Sequence, residues 1–545
     1  MRNPYIGRLK LSRTTPETGA QAMAEAMLNV LQPVYIVDVH GKPGVCRDGK
    51  MTMGDDAPVQ PDDYPLIAFA PSLHPKNLGN PDFKKRYQLR YPYISGAMAH
   101  GIASVALTKA AARSGMMGFF GAAGLSLSHL EKTLFQLKEE LGDLPFGVNI
   151  VYTGNDALER AMIDLYMKHG IRLISAAGYL KLTLPLLCFR IRGIYRDADS
   201  RVICPNQIIA KTSRLEIARQ FLSPPPEKMV YQLLDRKLIT MDEARLAQFI
   251  PVAEDLTAEA DSGGHTDNRA AVSLLPSMLD LRDELVHEFN YATMPCIGLG
   301  GGIGTPLAVC AAFAMGADYV LAGSVHQACL ESGTSDIVRE MLADASQTDV
   351  AMAPSANMFE RGVRVQVLKR GTLFAQRAAK LYDLYRGHES LDWIPDDQKK
   401  DLETNVFQTT LDAQWHATRQ FFESYDPSRI EPAEKDPKRK MALVFRSYLG
   451  QSAKWAINGD SPRKKDFQIW CGPAMGAFNE WSRGSFLASP ANRDFQTVAM
   501  NLLLGACVAM RRQWLASSGW TLPSPVGQYK PLELSQIRTI LNDDI

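Results

Sequence analysis

Four short stretches of this 545-residue chain combine residue types and spacings that can do chemistry. In GLGGGIGTP, Gly298 to Pro306, missing Cβ atoms let backbone N–H groups approach an anion, and a helix starting there would add partial positive charge. Ala322, Gly323 and Ser324 close the next apolar run. Loops after the last two strands of a β/α barrel frequently build one phosphate site, so the two turns together suit a single phosphomonoester, either FMN or a phosphorylated substrate. The same glycines would serve equally for tight turns alone. Strict G-x-G-x-x-G spacing is not met and the run falls late in its domain, which argues against a dinucleotide-binding Rossmann unit. In EADSGGHTDNR, Gly263 and Gly264 deliver His265, whose imidazole can donate to a thioester oxygen or pass a proton near neutrality; it can equally be a loop bystander. Asn149 and Lys211 end the apolar runs VNI and IIAK, where each can bond a flavin ring or be a satisfied polar group at a barrel rim.

Competing chemistries have weaker support. His287 and Glu288 begin no H-E-x-x-H helix, the cysteines show no zinc spacing, and no G-x-S-x-G elbow occurs, so no metal and no serine nucleophile are expected. Lys+Arg 60 against Asp+Glu 59 leaves no basic excess for nucleic acid. The cysteines lie mostly inside apolar runs, and no stretch approaches the roughly 18 to 20 apolar residues of a membrane span. A reduced, cytoplasmic protein without a membrane association is expected.

The elements that would position these residues follow from periodicity. Residues 1–85 read as a small α+β unit without a core of its own, with a helix from Ala20 to Leu31 and a strand from Val34 to Val39. From Tyr91 onward eight apolar runs, mostly separated by helical patterns, suggest parallel strands covered on both faces and closed into a TIM-type (β/α)8 barrel over residues 86–387. An open doubly wound sheet is the alternative. Ser128 with Glu131 reads as a capping box opening a helix to Leu141. After Pro224, Pro225 and Pro226 an inserted helical hairpin is expected over about 222–250, its second helix capped by Thr240 with Glu243. Residues 388–545 read as a helical C-terminal domain, with helices over Trp393 to Ser424 and Pro490 to Ser517 and an exposed charged joint, EPAEKDPKRK, between them.

Taken together, ISGAM (Ile94 to Met98), FGVN ending at Asn149, EADSGGH ending at His265, Gly300 to Gly302 and Ala322 to Ser324 resemble the nitronate monooxygenase and FMN enoyl-acyl-carrier-protein reductase superfamily. Three further segments extend the resemblance to nearly the whole chain: GMMGFFGAAGLS, Phe359 to Tyr385 and IWCGPAMGAFNEW. These are similar to the PfaD family, the trans-acting enoyl reductases of polyunsaturated fatty acid synthases, and to its relatives in polyketide synthases. The resemblance implies an FMN across the barrel mouth, with Gly96, Ala97 and Met98 beneath or beside its ring. Asn149 and Lys211 would meet the ring's polar edge, Gly263 and Gly264 its face, and Gly301, Gly302, Gly323 and Ser324 the phosphate. His265 matches the family's active-site histidine. NADPH is the implied reductant, and the implied partner is an acyl carrier protein docking on basic groups around Lys435 to Lys440 or Arg463 to Lys465. A homodimer is the expected assembly. A nitronate-oxidising flavoenzyme and a non-catalytic synthase scaffold are the rival readings.

Overall fold

The computed structural model describes residues 5–12, 15–54, 62–425 and 427–542. Eight parallel strands close into a barrel in chain order: β1 (Tyr93–Ser95), β2 (Met117–Phe120), β3 (Phe146–Val151), β4 (Leu173–Ala177), β5 (Gln207–Thr212), β6 (Asp255–Glu259), β7 (Ile297–Gly300) and β8 (Val320–Ala322), the last pairing with the first. An open sheet is thereby ruled out, and the expected (β/α)8 barrel is the observed fold.

Strand geometry explains why side chains sort as they do. Alternate residues point to opposite faces. On β5, Ile208 and Ala210 join the core beneath the outer helices, whereas Ile209 joins the cluster filling the barrel. Asp255, Thr257 and Glu259 of β6 therefore share the inward face with Ile209 and Lys211 of β5. They mark three layers. At the lower end, helix α1 (Pro81–Tyr87) plugs the barrel: Arg86 pairs with the buried carboxylate of Asp255, and the Tyr87 hydroxyl donates to it at 2.7 Å. Burial raises the Asp255 pKa, and the Arg86 guanidinium opposes that shift. In the middle, Thr257 Oγ1 and the Tyr319 hydroxyl lie 2.8 Å apart, and the Tyr319 ring stacks on Phe83 with centroids 4.1 Å apart. A Cβ at Gly298 would run into that ring, which accounts for one glycine of the GLGGG run by packing alone. The top layer carries Lys211 and Glu259.

Two helical details differ from the sequence reading and one agrees with it. The helix expected to start at Ser128 runs Leu127–Leu141, and Ser126 is its cap, accepting the His129 N–H at 3.3 Å. Placing the start there puts Leu130, Leu134 and Leu137 on the buried face. The inserted hairpin is present as Glu227–Asp235 and Met241–Leu246, with the Thr240/Glu243 capping box formed. EPAEKDPKRK is charged and largely exposed as expected, but it is helical and not a bare joint. It spans the helix Ile430–Lys435 and enters the helix Pro437–Asn458, and its charges are largely consumed locally. Lys435 pairs with Glu431 at 2.5 Å, Arg439 with Asp436 at 3.3 Å, and Lys440 sits 5.3 Å above the Trp415 ring. Arg463 is buried over Trp455, so of the basic groups expected to dock a partner, Lys435, Arg439, Lys464 and Lys465 stay exposed, the first two within ion pairs.

The ends of the chain meet. The described residues between 5 and 70 form a six-stranded sheet with the helix Ala20–Leu28; contrary to the sequence reading this unit has one small apolar cluster of its own, and it shares a second with Leu515, Leu522 and Val526. Residues 497–508 of the helix Phe495–Ser517 are buried on every face, and the helix packs against the barrel helix Pro306–Ala314 and the N-terminal unit. Its Arg511, itself buried, donates to the carbonyls of Met27, Asn29 and Gln32 beyond the N-terminal helix. Seven of the eight cysteines are buried and all are free. Among the described residues no helix is long and apolar enough to cross a membrane.

Removing Arg86 would strand the Asp255 charge in the barrel floor. Arg86→Met should cost about 3–5 kcal/mol, seen as a lower Tm at fixed scan rate. Adding Asp255→Leu should recover much of that loss, since the stranded charge is then gone.

Candidate functional site

At the carboxyl ends of the strands lies a narrow pocket of about 80 Å³. Nine of the twelve site residues expected from sequence line it: Gly96, Ala97, Met98, Lys211, Gly263, Gly301, Gly302, Gly323 and Ser324. Asn149, Gly264 and His265 lie beside it.

One wall is a cradle of bare backbone. Gly301 and Gly302 have φ of +91° and +74°, a region that L side chains rarely adopt, and this turns the chain sharply after β7. The N–H groups of Gly302, Gly323 and Ser324 have no acceptor among the described residues. A Cβ at Gly302 or Gly323 would meet no atom within 4 Å, so both glycines border open space. Unsatisfied donors beside a void lined by glycine are what an oxyanion fills. The Ser324 hydroxyl accepts the Gly472 N–H at 3.2 Å and keeps its own proton for a ligand oxygen.

Beside the cradle, the ends of β5 and β6 carry charge. Lys211 Nζ lies 2.7 Å from Glu259 Oε1, both groups largely sheltered, and the Ser262 hydroxyl is 3.5 Å from the same oxygen. Glu259 escaped the sequence reading, although it ends an apolar strand just as Lys211 does. The pair keeps a cation and an anion at the mouth with little net field, so Lys211 can turn toward an arriving negative group only by sharing it with Glu259.

His265 is reached by solvent but packed round by protein, and its Nε2 lies 3.3 Å from the hydroxyl of buried Ser355. Its pKa lies below the usual imidazole value. Loss of water around the ring is the main cause; Glu259 opposes the shift and Lys211 adds to it. The loop bearing it is braced from outside the barrel by a two-stranded ribbon, β9 (Val350–Pro354) and β10 (Arg364–Leu368). Gly264 and Gln366 exchange both backbone hydrogen bonds, at 3.0 and 2.7 Å. The Gln366 side chain donates to Asp261 at 2.8 Å and to the Ser262 carbonyl at 2.9 Å. Gly264 thus serves the bracing of the histidine loop. Asn149 also supports from behind: its Oδ1 accepts the N–H groups of Ala122 at 2.7 Å and Ala123 at 3.3 Å, holding the turn after β2.

A further part of the site arrives from far along the chain. Trp470 and Ala474 line the pocket, on a segment that crosses the barrel loops. A Cβ at Gly263 would lie 2.9 Å from the Cys471 backbone, and one at Gly304 would meet the Ala474 carbonyl. Gly263 is therefore bare so that this segment can pass. Nothing in the periodicity of residues 469–474 signals this placement, which depends on tertiary packing alone. A second depression, at the lower end of the barrel, is lined by Asn77, Gly79, Phe313 and Met510; its one carboxylate, Asp318, is spent on Asn80 and the Ile297 N–H, so it offers no comparable chemistry.

With this geometry in view, comparison with known proteins places the chain. Residues 82–389 match the nitronate monooxygenase family, and residues 388–467 match the inserted helical domain of [acyl-carrier-protein] S-malonyltransferase. The chain is 42% identical over 440 residues to polyketide biosynthesis protein PksE of Bacillus subtilis, covering 80% of this chain and 57% of that protein. It is 40% identical over 443 residues to a component of the polyunsaturated fatty acid synthase of Thraustochytrium sp., covering 80% of this chain and 30% of that protein. The chain thus spans between about a third and just over half of these relatives' length. The crystal structure of the enoyl reductase domain of MlnA, from the macrolactin cluster of Bacillus amyloliquefaciens, superposes with a TM-score of 0.77 at 38% identity, covering 81% of this chain and 99% of that one. The barrel, the ribbon-braced histidine loop and these matches identify the chain as a member of the nitronate monooxygenase family of oxidoreductases, in a form that carries the inserted helical domain and is homologous to the MlnA enoyl reductase domain.

Proposed function

We propose that the protein is an FMN-dependent, NADPH-consuming enoyl reductase acting in trans on 2-enoyl thioesters carried by an acyl carrier protein, in polyunsaturated fatty acid or polyketide synthesis. The observation that carries this reading is the convergence, on one barrel mouth, of an oxyanion cradle of free backbone N–H groups, a cation at the end of β5 and a histidine within reach of its charge. The residues fit FMN. Gly301, Gly302, Gly323 and Ser324 would take the phosphate through backbone N–H groups and the Ser324 hydroxyl, and Gly96, Ala97 and Met98 supply a small, partly apolar floor. Lys211 would face the polar edge of the ring. The bound cofactor would supply hydride chemistry, taking hydride from NADPH and passing it to Cβ of the enoyl group.

His265 has the remaining task. Its lowered pKa leaves the ring neutral at pH 7, with Nε2 bonded to Ser355 and Nδ1 left for substrate. A neutral imidazole is a weak acid but a good hydrogen-bond donor, which favours polarisation of the thioester carbonyl over direct protonation of Cα. The helical insert matches a domain of an enzyme that itself handles acyl carrier protein, and one relative is a polyunsaturated fatty acid synthase subunit and another a polyketide biosynthesis protein, which supports a carrier-bound substrate.

Two variants test the assignment. His265→Ala should keep its flavin while enoyl-dependent NADPH oxidation falls by about two to four orders of magnitude; unchanged turnover would remove His265 from the reaction. Gly323→Leu should fold with an unaltered Tm, because its side chain enters open space, yet purify colourless. A yellow Gly323→Leu protein would displace the phosphate from this loop. Oxygen uptake with nitroalkane anions, in place of enoyl-dependent NADPH oxidation, would overturn the reductase reading.

The electrostatics are separately measurable. In an NMR titration His265 should reach its midpoint below pH 6.5, the ring being neutral above that midpoint. Lys211→Met removes a repelling cation and should move the midpoint up. Glu259→Gln removes an attracting anion and should move it down.

A further inference from the structure

Trp470 belongs to two places at once. It packs against the apolar core of the C-terminal helices and also lines the barrel pocket. Its backbone pairs with Val367 of β10, the Cys471 N–H reaches the Gln366 carbonyl, and the neighbouring Leu368 N–H donates to the Ile469 carbonyl at 2.8 Å. Its indole Nε1–H donates to the side-chain oxygen of Gln468 at 3.2 Å, and the Gln468 amide nitrogen donates to the Leu449 carbonyl at 2.8 Å. With its one polar group satisfied inside the protein, the indole offers the pocket only an apolar π surface.

The ring is also clamped. His100 stacks on it, ring centroids 5.6 Å apart and planes within 1° of parallel. His100 holds a left-handed backbone, φ 58°, and its imidazole lies against Gly124, where any Cβ would collide with it. Burial, with help from the Lys454 charge, lowers the His100 pKa, so the stack is between two neutral rings. A strained residue pressed into a glycine notch to steady one indole points to a surface whose position matters. The pocket lining combines polar residues, Lys211, Glu259 and Ser262, with apolar ones, Met98, Ile303 and Trp470.

We propose that Trp470 is the platform on which the hydrocarbon part of the acyl substrate lies, and that His100 is a positioning residue for it. The proposal rests on the enoyl-reductase reading and adds the feature that sets acyl-chain preference. An alkyl or conjugated polyene chain needs from the indole only area and dispersion contact, and the NADPH half-reaction separates it from a pyridine nucleotide, whose flat rings could stack on the same face.

The test uses flavin-loaded protein and its Trp470→Phe, Trp470→Ala and His100→Ala variants with crotonyl, decenoyl and hexadecenoyl thioesters. Trp470→Ala should keep its flavin and its rate of anaerobic bleaching by NADPH, while KM for the two longer substrates rises about tenfold and that for crotonyl stays close to wild type. Trp470→Phe should restore most of the long-chain KM, and His100→Ala should show a smaller rise of the same chain-length dependence. Equal losses at all chain lengths, a slower NADPH half-reaction or a colourless Trp470→Ala protein would overturn the assignment. If the wild-type holoprotein binds acyl thioesters but reduces none, the reaction reading fails; acyl-dependent quenching of the fluorescence lost in Trp470→Phe then decides the platform by itself, and its absence would overturn it.

Discussion

The active mouth depends on a place where two backbones touch. Gly263 follows β6 and Gly472 lies two residues after Trp470; a Cβ on the first would sit 2.9 Å from the Cys471 backbone, and a Cβ on the second 2.7 Å from the Gly263 nitrogen. Glycine on both sides lets the late segment cross the barrel at main-chain distance. From that crossing follow the bonds that shape the site: Gly472 N–H to Ser324 Oγ, Cys471 N–H to the Gln366 carbonyl, and Trp470 against the pocket. A barrel without this segment would keep its glycine cradle and lose one wall. The wall is thus bought with side-chain freedom at two positions, and any residue larger than glycine at either would push apart the loops that carry Ser324 and His265.

Much of this could be read from the chain in advance, for a definite reason. The barrel strands are short apolar runs bounded by glycine and helical periodicity, which signals a parallel sheet covered on both faces; a count of eight favours a closed barrel over a doubly wound sheet. The polar residues that interrupt such runs at their ends stand out, which is why Lys211 was recognisable. Glu259 obeys the same rule but sits inside a run of acidic residues, Glu259 and Asp261, where it looked like loop polarity. The glycine signal was ambiguous in a different way. Gly298, Gly263 and Gly304 are bare because an aromatic ring or a crossing backbone lies against them, whereas Gly302 and Gly323 border open space. One composition thus conceals two physical causes, and only the third dimension separates them. Trp470, Ser355 and Gln366 lay beyond reach because their relation to His265 is made by chain segments 90 to 205 residues away, with no local periodicity to betray it. The charged joint has a different, local origin: its density of charge reads as a solvated connection, yet Pro432 and Pro437 each fall in the first turn of a helix, where proline is well tolerated.

The barrel interior shows how one fold meets two electrostatic demands. At its lower end the Asp255 charge is sealed with Arg86 and Tyr87 and has no access to ligand; its pairing serves closure of the floor by α1. Two positions along the same strand face, the Glu259 carboxylate meets Lys211 at the open end, where solvent and ligand reach both. Equal chemistry at the two ends has unequal consequences. Removing the partner of a buried charge strands it, whereas an exposed pair can reorganise around an incoming group. The separation between structural and functional ion pairs is therefore set by depth in the barrel, and the intervening Thr257–Tyr319 layer keeps the two apart.

The helical insert gains its meaning from what lies on either side of it. It begins after β10 and the helix Phe374–Gly387 and ends just before Gln468, so its two boundaries are the ribbon that braces His265 and the segment that carries Trp470. Tyr448 of the helix Pro437–Asn458 donates to Asp466 at 2.7 Å, and the Ser452 carbonyl of the same helix accepts the Gln468 N–H, so the insert is fastened to the approach of the Trp470 segment at successive turns. Movement of that helix cannot leave Trp470 unaffected, because the indole hangs from Gln468, which is itself bonded to Leu449. A carrier protein docking on the insert would thereby press on the wall against which its own acyl chain lies, and recognition of the carrier and placement of the chain would be one mechanical event.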